Sequence, residues 1–258
     1  MMLAPLCNTR PHRGGYDRFG GYSMSNFQPQ PAWIEGRTVE TQTVERAFFR
    51  SVYAWMFGGL LVTSFAALWV VMSPAMQQLV LLNRIVPWAL FIAEFGLVIF
   101  LSSRIMKMSS GAAAAAFLVF SLLNGLTLSS IFFIYTAGSI FQAFVTAAGM
   151  FGAMSVYGMV TKRDLTSWGS FFFMGLIGIV ICSVVNIFLK SSALGWTISI
   201  IGVFVFLGLT AWDTQKLKSY AKMPELRENL AVFGALSLYL DFINLFLFML
   251  RIFGSRRS

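Results

Sequence analysis

Ionisable side chains are expensive inside apolar segments, so those that occur there are the first candidates for chemistry. This sequence has few. Glu94 lies within VPWALFIAEFGLVIFLSSR, and Arg104 closes that run. Asp213 lies in LGLTAWDTQKLKSY, Asp241 in ALSLYLDFINLF, and Arg251 near the end of the chain. Ser237, Asp241 and Asn244 fall at i−4, i and i+3, which is one face of a helix. Leu238, Leu240, Phe242 and Leu245 point elsewhere. A polar stripe is costly against lipid, so that face is expected to look inward. The helix carrying it belongs near the centre of its bundle. Two carboxylates close together in a low dielectric cannot both ionise cheaply, so Asp213 and Asp241 are candidates for a pair sharing one proton. Arg104 is placed to neutralise them when both are ionised. The competing expectation is a static charge cluster that only locks the helices. Glu94 stays open between a structural hydrogen bonder, an ion-path group and a proton carrier.

Paired intramembrane aspartates also equip an aspartyl protease, where one acid and one base activate water. Such proteases carry a Gly-x-Gly-Asp element, and neither LTAWDTQKL nor LYLDFINLF has it. His12 is the single histidine, and Cys7 and Cys182 have no metal or disulfide spacing. No enzyme, metal site or cofactor is expected. A transporter is the stronger rival, but no internal repeat or pair of broken helices marks a substrate site.

The elements that position these residues follow from composition. Of 258 residues 57% are apolar, and only 29 are charged. Ten of the 29 precede residue 51, leaving 19 in the other 208, far below the roughly 25% of a soluble domain. A soluble globular fold and a disordered chain are both excluded. Seven continuous apolar runs predict spans near 52–72, 86–103, 112–135, 139–160, 168–189, 193–212 and 230–253. Runs of this length are helices, because lipid requires each backbone group to be satisfied within its own segment. A β-barrel would alternate over about ten residues, and no such alternation occurs. The expected fold is an all-α integral membrane protein, a seven-transmembrane helix bundle with the last helix central.

Residues 1–50 read as a polar, flexible N-terminal tail, with TVETQTVERAFFR as an amphipathic interfacial helix at its end. Residues 51–254 form the transmembrane domain, and 255–258 a short basic tail. Translation starting at Met24 instead of Met1 is left open. The net charge of +9 could suggest nucleic acid, but the basic residues are scattered and none is expected. They instead predict orientation. With the N-terminus cytoplasmic, the inner segments hold Arg37, Arg46 and Arg50, then Arg104 and Lys107, then Lys162 and Arg163. The last inner segment adds Lys216, Lys218, Lys222 and Arg227. The outer loops hold Arg84 and Lys190. A full crossing by the seventh span, favoured over a re-entrant hairpin on length, leaves Arg256 and Arg257 outside. Small residues at Ala148/Gly152, Gly149/Ala153, Gly58/Gly59, Gly175/Gly178 and Gly202 are expected to serve close helix packing.

The strings LGLTAWDTQKLKSY and NLAVFGALSLYLDFINLFLFMLRIFG closely resemble the last two spans of the Bax inhibitor family, the transmembrane Bax-inhibitor-motif proteins, and bacterial members most of all. The resemblance covers roughly residues 45–254. It implies seven helices with the last surrounded by the other six, and a pH-sensitive calcium leak in the lipid bilayer of a bacterial inner membrane. It carries the family's aspartate pair onto Asp213 and Asp241, its latch arginine onto Arg104, and an acidic position of the second span onto Glu94. Glu94, Asn244 and Ser237 are the candidates for the ion path, with calcium as the permeant ion. The alternative function is a regulatory protein that binds other membrane proteins, such as a membrane-bound protease.

Overall fold

The computed structural model describes residues 32–223 and 227–257, with side chains from residue 43 onward except that of Arg227. The expectations placed on residues 1–31, including Cys7, His12 and Met24, lie outside this range. The described residues are almost wholly helical and contain no β-strand beyond one isolated bridge. In chain order the elements are α1 (Ala32–Met72), α2 (Pro74–Gln77), a π-turn (Gln78–Leu82), α3 (Val86–Arg104) and a 3₁₀ turn (Ile105–Lys107). There follow α4 (Ser110–Leu128), α5 (Ile131–Ile134), α6 (Ala137–Val160), α7 (Thr166–Leu189), α8 (Ser192–Tyr220) and α9 (Arg227–Phe253). Among the described residues, seven helical segments are long and apolar enough to cross a membrane: 43–72, 86–107, 110–134, 137–160, 166–189, 192–220 and 228–253.

The helix starts follow local chemistry. Ser109, Thr136 and Ser191 each accept a hydrogen bond from a backbone N–H three residues ahead, satisfying one of the free donors of α4, α6 and α8. Pro87 occupies the first turn of α3, where its missing N–H costs nothing. At the other end of α7, Lys190 takes the left-handed conformation (φ 50°), and Asn186 ties the turn by accepting from Ser191 N at 3.1 Å. The segment TVETQTVERAFFR is helical, as expected. It belongs to α1, which runs unbroken into the first span, with Phe48 buried at 1% exposure.

α9 packs on α4, α6 and α8, α7 on α8, and α3 on α4. The most apolar window of α9 is 72% buried and that of α7 only 6%, so these two mark the extremes of the bundle. The two ends of α9 are pinned at opposite ends of α4. Near its start, Asn229 Nδ2 donates to Ile105 O (3.0 Å) and Met108 O (2.7 Å), in the turn before α4. At its finish, Arg257 N donates to Ile134 O (2.9 Å) and Thr136 N to Ser255 O (3.1 Å), beyond α4. The seventh helix therefore traverses the full bundle and does not turn back.

Close approach of helices falls on some of the small residues and not others. A Cβ at Gly125 would collide with the Thr63 carbonyl and with Ala66, so this glycine sets the crossing of α1 and α4. Gly59, Gly175 and Gly202 are likewise in contact, whereas Gly58, Gly149, Gly152 and Gly178 face open space. In the four-apart pairs of α6, Gly149 and Gly152 thus do not do the packing expected of them, while Ala148 packs against the core. Gly125→Ala should lower unfolding stability in detergent by about 1–3 kcal/mol, because backbone atoms must shift. Gly149→Ala should leave it unchanged or slightly raised. Equal melting of the two variants would contradict this assignment.

Candidate functional site

α8 and α9 run antiparallel, and their register is set by two contacts. Gly234 lies against Leu217, and Gly202 against the ring of Phe248. This puts Asp213 level with Ser237, about one turn from Asp241. The two aspartates are near enough for their charges to act on each other. Asp241 is buried at 4% exposure, while Asp213 is half-buried. Asp241 Oδ2 has no hydrogen-bond partner among the described residues.

Three further buried oxygens share that condition among the described residues: Tyr53 Oη on α1, and, on the helices beside α9, Thr214 Oγ1 on α8 and Ser155 Oγ on α6. α6 reaches the same level, because Gly158 rests on Ala211 and Thr214 and Phe151 packs edge-to-face on Phe242 (5.6 Å). Three helices thus bring unpaired oxygens to one region, around a carboxylate pair. Elsewhere on the expected stripe, Ser237 is half-buried, and Asn244 is turned back on its own helix, with Nδ2 donating to Leu240 O at 2.8 Å.

The cation acting on Asp213 is Lys216, one turn along α8. Its ammonium stands 4.8 Å from the Trp212 ring centre and 5.7 Å from that of Tyr220. Arg104 is exposed at the end of α3 and makes no ion pair with either aspartate. The structure therefore brings Asp213 and Asp241 together and leaves Arg104 apart from them in this conformation. Arg251 is exposed as well.

Glu94 belongs to a separate network. Its carboxylate accepts from Asn124 Nδ2 (3.1 Å) and from the Thr127 hydroxyl. Tyr239 O–H donates to Asn124 Oδ1 (2.9 Å), and the Tyr239 oxygen lies 2.6 Å from Thr63 Oγ1. With the tyrosine proton on Asn124, Thr63 is the donor to Tyr239, and the carbonyls of Gly59 and Ser121, each at 2.9 Å, compete for that proton. The chain of contacts joins α3, α4, α9 and α1. Phe117 and Phe120 wall Tyr239, each 5.8 Å from its ring centre to centre. Of the roles open to Glu94, hydrogen bonding is the one the geometry displays. Asn124, Thr127, Tyr239 and Thr63 are not singled out from sequence, and Lys216 is read there only as an orientation signal. A lone amide in SLLNGLTL and a hydroxyl in LLVTSF were the available signals, since polar residues in apolar runs pair across helices.

Comparison with known proteins shows the family of the chain. Residues 45–258 match the family described as "Inhibitor of apoptosis-promoting Bax1". The chain belongs to the Bax inhibitor family. It is 53% identical over 217 residues to "Inner membrane protein YbhL" of Escherichia coli (strain K12), covering 82% of this chain and 93% of the relative. It is 44% identical to an uncharacterized protein of Borreliella burgdorferi, over 83% of this chain and 94% of the relative. Uncharacterized protein RP147 of Rickettsia prowazekii is 43% identical, with 83% and 91% covered. The matched region of this family member includes every span, both aspartates and the Glu94 network.

Tyr239→Phe tests that network. It strands the Asn124 carbonyl, and should lower unfolding stability in mixed micelles by about 1 kcal/mol. Tyr53→Phe removes a buried hydroxyl that has no hydrogen-bond partner among the described residues, and should cost nothing. Equal losses from the two variants would mean that the chain of hydrogen bonds holds nothing together.

Proposed function

We propose that this multi-pass membrane protein is a pH-sensitive cation leak, with calcium as the permeant ion, and not an enzyme. Asp213 and Asp241 share a proton and form its gate. The observation that carries the proposal is Asp241 itself, a buried carboxylate with one unpaired oxygen inside the charge field of a second carboxylate. Structural ion clusters normally complete their hydrogen bonds, and Asp241 Oδ2 has no such partner among the described residues. The unpaired oxygens of Ser155 and Thr214 supply the hard ligands that a calcium ion prefers. The relative named as an inner membrane protein supports placing this chain in a bacterial inner membrane. The Lys/Arg bias supports a cytoplasmic N-terminus.

The direction of gating follows from charge. With both carboxylates ionised, two negative charges attract the cations at the inner end of the bundle, and the closed state holds. When the pair keeps a proton, one of those charges is gone and the attraction weakens. A contact between unit charges is worth about 4 kcal/mol at an effective dielectric near 20, enough to move a two-state gate more than tenfold. Lys216 is one such cation. Arg104, exposed here, acts as a clamp only in a second conformation that carries the end of α3 toward the pair.

Calcium flux into liposomes of purified protein, followed against pH, tests this. Wild-type flux should rise as pH falls on the side of the Lys216 segment. Asp213→Asn should leak more at pH 8 and respond little to pH, and Asp241→Asn should flatten the response too. Arg104→Ala should leak persistently at pH 8. Wild-type pH profiles in both aspartate variants would overturn the gate. Flux no greater than that of empty liposomes would favour a regulator of other membrane proteins.

A further inference from the structure

We infer that the cleft between α6, α7 and α8 binds an anionic phospholipid, with its phosphate on Arg163 and an acyl chain against Phe172, Gly208 and Ala211. The cleft holds about 210 Å³, less than the roughly 300–1,000 Å³ of a pocket for a whole drug-sized ligand, so it takes a segment of one acyl chain. Gly208 and Ala211, both buried, belong to its lining. Their small size matters, since the Phe172 ring sits where a Cβ on Gly208 would be. Tyr157 and Trp168 are the exposed aromatics of the lining, each with an apolar body and a polar tip, the type that settles at a membrane–water interface. Arg163 is the one charged residue of the lining.

The loop that carries Arg163 is built and held in place. Gln215 of α8 clamps it from both sides, Oε1 accepting from Leu165 N at 2.8 Å and Nε2 donating to Arg163 O at 2.7 Å. The neighbouring Asp164 does not compete for the guanidinium. Its Oδ1 accepts from the Thr166 hydroxyl (2.6 Å) and N–H (2.9 Å), which hold the carboxyl below its ordinary range and leave it ionised at the start of α7. The Arg163 guanidinium makes no ion pair or hydrogen bond with a described residue. A cation at the mouth of an apolar cleft, among lipid-facing helices, matches an anionic headgroup joined to a hydrocarbon chain. A free anion would use only the mouth, and a neutral lipid only the walls.

Native mass spectrometry of the full chain in detergent, with phosphatidylglycerol and phosphatidylcholine of identical chains, tests the site. The wild type should retain phosphatidylglycerol roughly fivefold better, the effect of one interfacial cation on an anionic headgroup. Arg163→Gln should bring the two lipids to parity, while Lys162→Gln, adjacent in the loop but outside the cleft, should keep the preference. Met154→Trp, which fills the cleft without altering charge, should remove the adduct and serves if Arg163→Gln does not fold. Equal retention of both lipids by the wild type would overturn the site, as would identical behaviour of the Arg163 and Lys162 variants. So would inorganic phosphate alone raising the melting temperature as much as phosphatidylglycerol does.

Discussion

A carboxylate in the middle of a membrane helix has to face other helices, because hydrocarbon offers it neither partner nor solvation. Asp241 imposes this on α9, and Tyr239 imposes it again on the opposite face, since two residues turn a helix by about 200°. One face turns Asp241 toward α6 and α8. The other sends Tyr239 into contact with Asn124 of α4 and Thr63 of α1. A helix bound by polar groups on both sides has little surface left for lipid, and α9 is the most buried of the spans. Glu94 ties α3 to the same network through α4. α7 carries no such obligation inward, and it is the most exposed.

Apolar burial does little to hold helices together once all are in lipid, so packing and hydrogen bonds must do so. The two polar regions on α9 divide this work unequally. Around Tyr239 the hydrogen bonds are complete, and backbones approach closely at Gly125. Around Asp241 three oxygens have no partner among the described residues, and Lys216 is the cation that acts on Asp213. A satisfied network resists change, whereas an unsatisfied one in low dielectric is the place where a proton or a cation alters the energy most. On the proposed function, the same helix carries an anchor on one face and the responsive site on the other.

The spans were legible because lipid leaves one signal, continuous apolarity. The prediction for the sixth ended at Trp212, while α8 continues to Tyr220. The extra turns carry Asp213, Gln215, Lys216 and Lys218, and charge hides a helix from hydropathy although the backbone continues through it. The aspartates were legible as costly residues on neighbouring spans, and the structure brings them together. The position of Arg104 was not. A residue at a helix end can serve any of several neighbours, and topology alone fixes its side of the membrane without fixing its partner. The Tyr239 network was missed because each of its hydroxyls and amides is unremarkable alone. Its meaning lies in the crossing of four helices, which no periodicity encodes.

The central claim is that Asp213 and Asp241 act as one titrating unit. The most direct test is a double-mutant cycle on liposome flux, comparing Asp213→Asn, Asp241→Asn and the double variant across pH. A shared proton predicts that each single variant is already as flat against pH as the double variant, because either substitution removes the shared proton. Additive effects, with each single variant keeping half of the pH response, would show two independent groups and contradict the account.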